Sequence, residues 1–231
     1  MLDLRDIKIA MDGGDLAANF VVPARQKLAV LGPSGAGKST LLDAIAGFRP
    51  MHAGTILCDG AEITQSPPEQ RPVSILFQDA NLFPHLTVAR NLGLALRPDG
   101  GRLSPDAAQQ VAEALTRVGL SGYDDRKPGT LSGGQQGRAA LARVLLQARP
   151  VILLDEPFAA LGPALKVEML GLVTEVADRL GATVLMVTHD PEDARRFADG
   201  VILVADGQAH PPQPTQEFFD DPPRAFVDYV G

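Results

Sequence analysis

The 231-residue chain has one cysteine, Cys58. That excludes a disulfide framework within it and suits a reducing compartment. It has no block of basic residues, and its formal net charge is −7. Both argue against nucleic acid as a partner. No run approaches 18 consecutive apolar residues, so no membrane span is expected, and any membrane role would come through a partner. The start, Met1-Leu2-Asp3-Leu4-Arg5-Asp6, lacks the basic region and apolar run of a signal peptide. No internal repeat is present. What remains is an ordinary globular composition, 45% hydrophobic and 21% charged. It is long enough for one large domain or two small ones.

Residues Gly32-Pro33-Ser34-Gly35-Ala36-Gly37-Lys38-Ser39 fit G-x-x-x-x-G-K-[ST], the phosphate-binding loop of nucleoside-triphosphatases. Glycines let the backbone wrap a polyphosphate with its N–H groups turned inward. Lys38 brings a compact positive charge to the β- and γ-phosphates, and the Ser39 hydroxyl can ligate Mg²⁺. The context fits. Lys27–Leu31 reads as a buried strand, and Ser39–Ala46, with Thr40 in its first turn, as a helix whose positive end faces the phosphates.

Further along, Leu2, Leu4, Ile7 and Ile9 predict an opening strand, and 55–58 and 73–77 predict short strands. From about 79 to 143 the texture is helical. Ser104-Pro105 caps a helix lined by Val111, Leu115 and Val118 and closed by Gly119. The apolar runs 151–154, 184–187 and 201–204 read as strands of a parallel sheet buried on both faces. Pro163 to Leu180 reads as a helix ended by Gly181, and a short helix is expected near Thr215–Phe219. The sum is an α/β core interrupted by a helical insertion.

Asp155-Glu156 directly follows the 151–154 strand. Asp155 is placed to hold the Mg²⁺ shell, and Glu156 to orient and deprotonate an attacking water. Leu131-Ser132-Gly133-Gly134-Gln135 combines an N-cap serine with two glycines that bare the N–H groups of the next helix. This is a second anion-binding end. One γ-phosphate does not need two cradles from one chain, so this one is expected to serve ATP bound to another subunit.

With these motifs in order, the chain resembles the nucleotide-binding subunits of ABC transporters from about residue 2 to 208. Gln78 after the strand ending at Phe77, and His189 after the strand ending at Val187, complete the set. The resemblance implies a P-loop NTPase fold: a RecA-like core with a β-rich edge (about 1–78 and 144–208), a helical subdomain (about 79–143) and a short tail (209–231). It implies that Gln78 senses Mg²⁺, the attacking water and a membrane permease, and that His189 hydrogen-bonds the γ-phosphate and holds Glu156 in line. Two copies would pair head to tail around two ATP molecules, each phosphate loop facing the other's Ser132-Gly133-Gly134. Solute would arrive through a binding protein outside the membrane, and the subunit would sit on the cytoplasmic face of the bacterial inner membrane.

Within that family, the stretch from Ser66 to Val88 is most similar to the ATPases of thiamine importers, as are Asp155-Glu156-Pro157-Phe158 and Val204-Ala205-Asp206-Gly207. An importer for another small solute is the alternative. Two positions depart from the family pattern. Met11 stands where an aromatic residue usually stacks on adenine, which predicts weaker nucleotide discrimination. Gly162 ends Ala159-Ala160-Leu161-Gly162 where the family has Asp, which predicts weaker coupling between the two sites. Gly137 replaces a longer polar residue, with no function attached. The permease is expected to dock near Gln78 and Asn81–His85, with Leu82 and Phe83 fitting either that surface or the core. Of the rivals, a Rossmann dehydrogenase fails because Thr40 stands where its third glycine belongs. A soluble ABC ATPase of DNA repair or the ribosome fits poorly with one cassette, no sustained heptads and an acidic charge. A regulator that has lost hydrolysis is opposed by Lys38, Asp155, Glu156 and His189.

Overall fold

The computed structural model describes residues 1–77, 82–159 and 161–230, without the side chains of Tyr229 and Val230. Gln78, Asn81 and Ala160, all invoked above, lie outside the described residues.

The sheet has two parts. One is parallel: β6 (Val73–Leu76), β7 (Val151–Asp155), β8 (Thr183–Val187), β3 (Lys27–Leu31) and β9 (Gly200–Ala205) lie side by side in that order. β7, β8 and β9 are buried along almost their whole length, as strands covered on both faces must be. The other part is an antiparallel wing of β1 (Leu2–Met11), β2 (Gly14–Val22), β4 (Ala53–Cys58) and β5 (Ala61–Glu62). β2 was not anticipated. Its buried residues alternate at Leu16, Ala18, Phe20 and Val22. The period of two is there, but two of its interior positions are alanines, a weak β signal. β10 (Gln208–Ala209) joins the parts, pairing parallel with β2 and antiparallel with β9. β11 (Gln213–Pro214) pairs with β9.

Helix α1 (Lys38–Ala46) lies between wing and parallel sheet, where Leu41, Leu42 and Ile45 are fully buried with Ile9, Leu16, Leu185 and Ile202. Gly37 at its start has φ +103 and leaves the first N–H groups without a side-chain cap. The other end is gripped. The Arg71 guanidinium, 4% exposed, donates to the carbonyls of Ala44 and Ile45 (both 2.8 Å), Thr64 (2.8 Å) and Ser66 (2.9 Å).

Between β6 and β7 run α2 (Val88–Gly93), α3 (Pro105–Arg117) and α4 (Gly133–Gln147). Val88, Leu92, Val111, Leu115, Leu131 and Ala139 form their own apolar cluster. α4 continues past 143 and packs its other face, through Ala140, Leu141 and Val144, on the parallel sheet. α5 (Pro163–Leu180) covers the same face, and α6 (Pro191–Phe197) also reaches it through Phe197. α7 (Thr215–Asp220) and α8 (Arg224–Val230) close over β9 with Phe218 and Phe226. No helix among the described residues is long and apolar enough to cross a membrane.

Candidate functional site

Parallel strands put their carboxyl ends on one edge, and in open α/β sheets that edge is where ligands bind. Here β3 delivers the phosphate loop, β7 delivers Asp155 and Glu156, and β8 delivers Thr188 and His189. The register pairs Val30 and Asp155 each with Val187, so the three loops leave the sheet together.

The loop's shape depends on its glycines at two places. A Cβ on Gly32 (φ +149) would sit 2.0 Å from the Val204 carbonyl oxygen, and one on Gly37 would sit 2.5 Å from the Met11 sulfur. Met11 therefore packs against the loop. The result is a cleft of about 760 Å³, lined by Ser34, Gly35, Gly37, Lys38, Ser39 and Thr40 on one side, Ala10, Met11, Asp12 and Arg49 on another, and Glu156. Gly32, Pro33 and Ala36 shape the loop from behind without lining the cleft.

The Lys38 ammonium donates to the carbonyls of Gly32 (2.7 Å) and Pro33 (2.8 Å). An ammonium has three N–H groups, so a third is available to a ligand. Burial lowers its pKa, and the carboxylates of Glu156 and Asp155 work against that shift. The Ser39 hydroxyl donates to Asp155 Oδ1 at 3.0 Å. Burial raises the Asp155 pKa, and the Ser39 bond only partly offsets it. A hydroxyl and a carboxylate side by side are hard oxygen donors suited to Mg²⁺, which usually takes one or two protein ligands and keeps the rest for water and phosphate. Among the described residues, no group of three or more His, Cys, Asp or Glu is placed to hold a metal ion.

Glu156 has φ +45, an uncommon conformation for a residue with a side chain. Its N–H donates to the Val187 carbonyl at 3.1 Å, which extends the β7–β8 pairing before the chain turns. The carboxylate Oε2 lies 3.5 Å from His189 Nδ1. Glu156 and His189 are thus brought together, and Ser39 with Asp155.

The Leu131–Gln135 motif stands apart from this cleft in the chain. Ser132 and Gln135 form a capping box: Ser132 Oγ accepts from Gln135 N at 3.3 Å, and Gln135 Oε1 accepts from Ser132 N at 2.9 Å. The Gln135 amide also donates to Tyr123 OH at 3.1 Å. Both ends of that amide, and the Gln135 backbone N–H, are thus engaged within the chain. Gly134 is needed for packing, since a Cβ there would lie 2.4 Å from Leu165 Cδ2, while Gly133 faces open space.

Leu82 and Phe83 separate. Leu82 packs against both the insert's cluster and the one between α4, α5 and the parallel sheet, and Phe83 is 47% exposed beside His85. The fully buried Asn91 holds this loop. Its side chain accepts from Phe83 N at 2.7 Å and donates to the carbonyls of Phe83, Leu86 and Thr87. Sequence reasoning missed Asn91, and it missed Asp12 and Arg49 in the cleft. It also missed an ion cluster of Lys166, Asp190 and Asp193 beside His189. Asp190-Pro191 was a readable helix start, but nothing local names its partner.

Known proteins resemble this chain in sequence and in fold. Residues 17–159 match the family described as ABC transporter. The chain is 58% identical over its full length, and that of the relative, to the thiamine import ATP-binding protein ThiQ of Ruegeria sp.. It is 59% identical, again over both full lengths, to the ThiQ of Cereibacter sphaeroides. Among solved structures it is similar to the dimeric bacterial ABC transporter cassette MJ0796, with TM-score 0.80 and 28% identity over 93% of this chain and 99% of that one. A post-hydrolysis dimer of the same cassette, bound to ADP and Pi, gives TM-score 0.79 and 29% identity at the same coverage.

Proposed function

The chain belongs to the ABC transporter family, as an ATP-hydrolysing cassette, and from that premise we propose that it powers the import of thiamine. The convergence of Lys38, Ser39, Asp155 and Glu156 at one edge of the sheet carries the reading. Full-length identity of 58–59% to thiamine import proteins supports the solute.

In the proposed reaction Lys38 and the N-terminal N–H groups of α1 hold the β- and γ-phosphates of ATP. Glu156 accepts a proton from water as the water oxygen bonds to the γ-phosphorus. The bond from that phosphorus to the β–γ bridging oxygen breaks, and ADP leaves with that electron pair. His189 hydrogen-bonds the γ-phosphate and keeps Glu156 in line, and Gln78 reports on the site to the permease. Ser39 and Asp155, with Gln78, would hold Mg²⁺, which when bound neutralises charge on the phosphate oxygens.

Two copies pair head to tail, so that Ser132, Gly133 and Gly134 of each complete the other's site. Closure of the pair drives the permease, and hydrolysis and product release reopen it. The permease docks beside exposed Phe83 and His85. A neighbouring cleft of about 600 Å³, lined by Leu86, Arg90, Leu94 and Arg102 among others, supports that position. The cassette then works at the cytoplasmic face of the inner membrane, with a solute-binding protein on the far side. In this reading the chain is one nucleotide-binding domain: a RecA-like core (about 1–78 and 144–208), a helical subdomain (about 79–143) and a short tail (209–231).

The test is uptake of labelled thiamine in a strain lacking the gene, complemented with wild type or Glu156→Gln. Restoration by wild type alone is the expected result. Uptake that survives deletion overturns the solute assignment and leaves the ATPase intact.

A further inference from the structure

His189 stands between two residues whose side chains are tied down, and its own ring lies 3.5 Å from the Glu156 carboxylate. The Thr188 hydroxyl donates to Asp193 Oδ2 at 2.8 Å and accepts from Asp190 N at 3.1 Å, and Thr188 N donates to the Val30 carbonyl at 3.3 Å. Asp190 Oδ1 accepts from Glu192 N at 3.0 Å and caps α6. One cation joins both carboxylates. Lys166 Nζ lies 2.9 Å from Asp190 Oδ2 and 3.1 Å from Asp193 Oδ2.

Lys166 is an odd choice for its place on α5. It sits in the turn that follows Gly162, its N–H donating to the Gly162 carbonyl at 3.0 Å. The N-terminal end of a helix disfavours cations. Its side chain is only 16% exposed, which adds a desolvation cost, and the Asp193 side chain is 10% exposed. A lone cation there would be unfavourable on both counts, so the two carboxylates are what hold it. Despite burial, its bonds to Asp190 and Asp193 raise the Lys166 pKa, so the pair persists at neutral pH. The same contact would leave two carboxylates facing each other within a few ångströms if the ammonium were removed.

We propose that Lys166 is a positioning residue for hydrolysis: by bridging Asp190 and Asp193 it sets the path of residues 188–190, and so keeps the His189 ring within reach of Glu156. Because it grows from the turn after Gly162, it also ties the His189 loop to the first turns of α5. The inference rests on the proposed roles of Glu156 and His189.

The test compares wild type, Lys166→Met and Lys166→Arg in steady-state ATP hydrolysis, with the Kd for Mg-ATP measured by calorimetry. In Lys166→Met, kcat should fall about 10–100-fold, the scale of a small misplacement of a reacting group. KM and Kd should stay within about twofold, because Lys38 and the phosphate loop are untouched. Lys166→Arg should recover most of kcat. In a His189→Ala background, Lys166→Met should cost nothing further, since a residue acting through another has no effect once that other is gone. Unchanged kcat in a folded Lys166→Met, or a loss that simply multiplies that of His189→Ala, overturns the proposal. If Lys166→Met does not fold, Asp193→Asn, which keeps an acceptor for Thr188, must show the same split of kcat from KM. A wild-type chain without ATPase activity would instead sink the functional reading on which this rests.

Discussion

The Ser39 hydroxyl and the Asp155 carboxylate meet at 3.0 Å although 116 positions separate them in the chain. The contact joins the first turn of α1 to the end of β7. Burial holds the Asp155 pKa above its ordinary value. A carboxyl whose folded pKa is raised stabilises the fold below its unfolded pKa, and that stability is lost as pH rises through the folded value. At neutral pH ionised Asp155 is therefore a cost to the nucleotide-free protein. Asp155→Asn keeps an acceptor for Ser39 and removes the charge. It should melt higher than wild type at pH 7, with the gap closing toward pH 4, while hydrolysis falls about 100-fold or more. Thermal melts across that range, paired with ATPase assays, check both halves.

Glu156→Gln should separate binding from chemistry. The amide keeps the size of the side chain but takes no proton, so kcat should drop by about 100-fold or more. Lys38 and the phosphate loop remain, so Mg-ATP should still bind. Light scattering of this variant should show a dimer with Mg-ATP and less of it with Mg-ADP.

Gly162 is the N-cap of α5, at φ −68 and ψ 158, with no side-chain cap and open space around a built Cβ. An aspartate fits there without strain and would cap the helix, gaining a few tenths of a kcal/mol over glycine. Gly162→Asp should raise the melting temperature slightly. If the missing carboxylate is what weakens coupling between sites, it should also raise the Hill coefficient for ATP. A Hill coefficient that does not move would reject that account.

Met11 presents a flexible thioether to the cleft and packs against Gly37. Wild type should turn over GTP with a KM within about tenfold of that for ATP, because a thioether packs on any base without reading its edge. Met11→Tyr should lower KM for both nucleotides by adding a ring to stack on. Paired KM measurements on the two proteins decide it.

Much of this site could be read from the sequence because its parts are local. Lys38 and Ser39 are neighbours in one motif, and Asp155-Glu156 and His189 each follow an apolar run whose end marks the sheet's edge. The same runs gave β3, β7, β8 and β9 to within a residue. What stayed hidden was side-chain partnership across elements. Nothing near Arg71 announces that it caps a helix ending at Ala46, and nothing near Lys166 points to Asp193. Those pairs exist only once α1, α5 and α6 have been laid on the sheet. Asn91 was hidden for a related reason: a buried amide inside a short helix looks like any surface polar residue until the loop it satisfies has folded around it.

The grip of Arg71 on α1 has a mechanical consequence. Four carbonyls from two segments share one buried guanidinium, and a buried network of that kind cannot slip by part of a bond without orphaning a donor. The helix that receives the phosphates is thereby bolted at its far end to the stretch leading into β6. Arriving nucleotide meets an anvil rather than a spring. Whatever moves when nucleotide binds, the far end of α1 is a fixed point against which that movement is made.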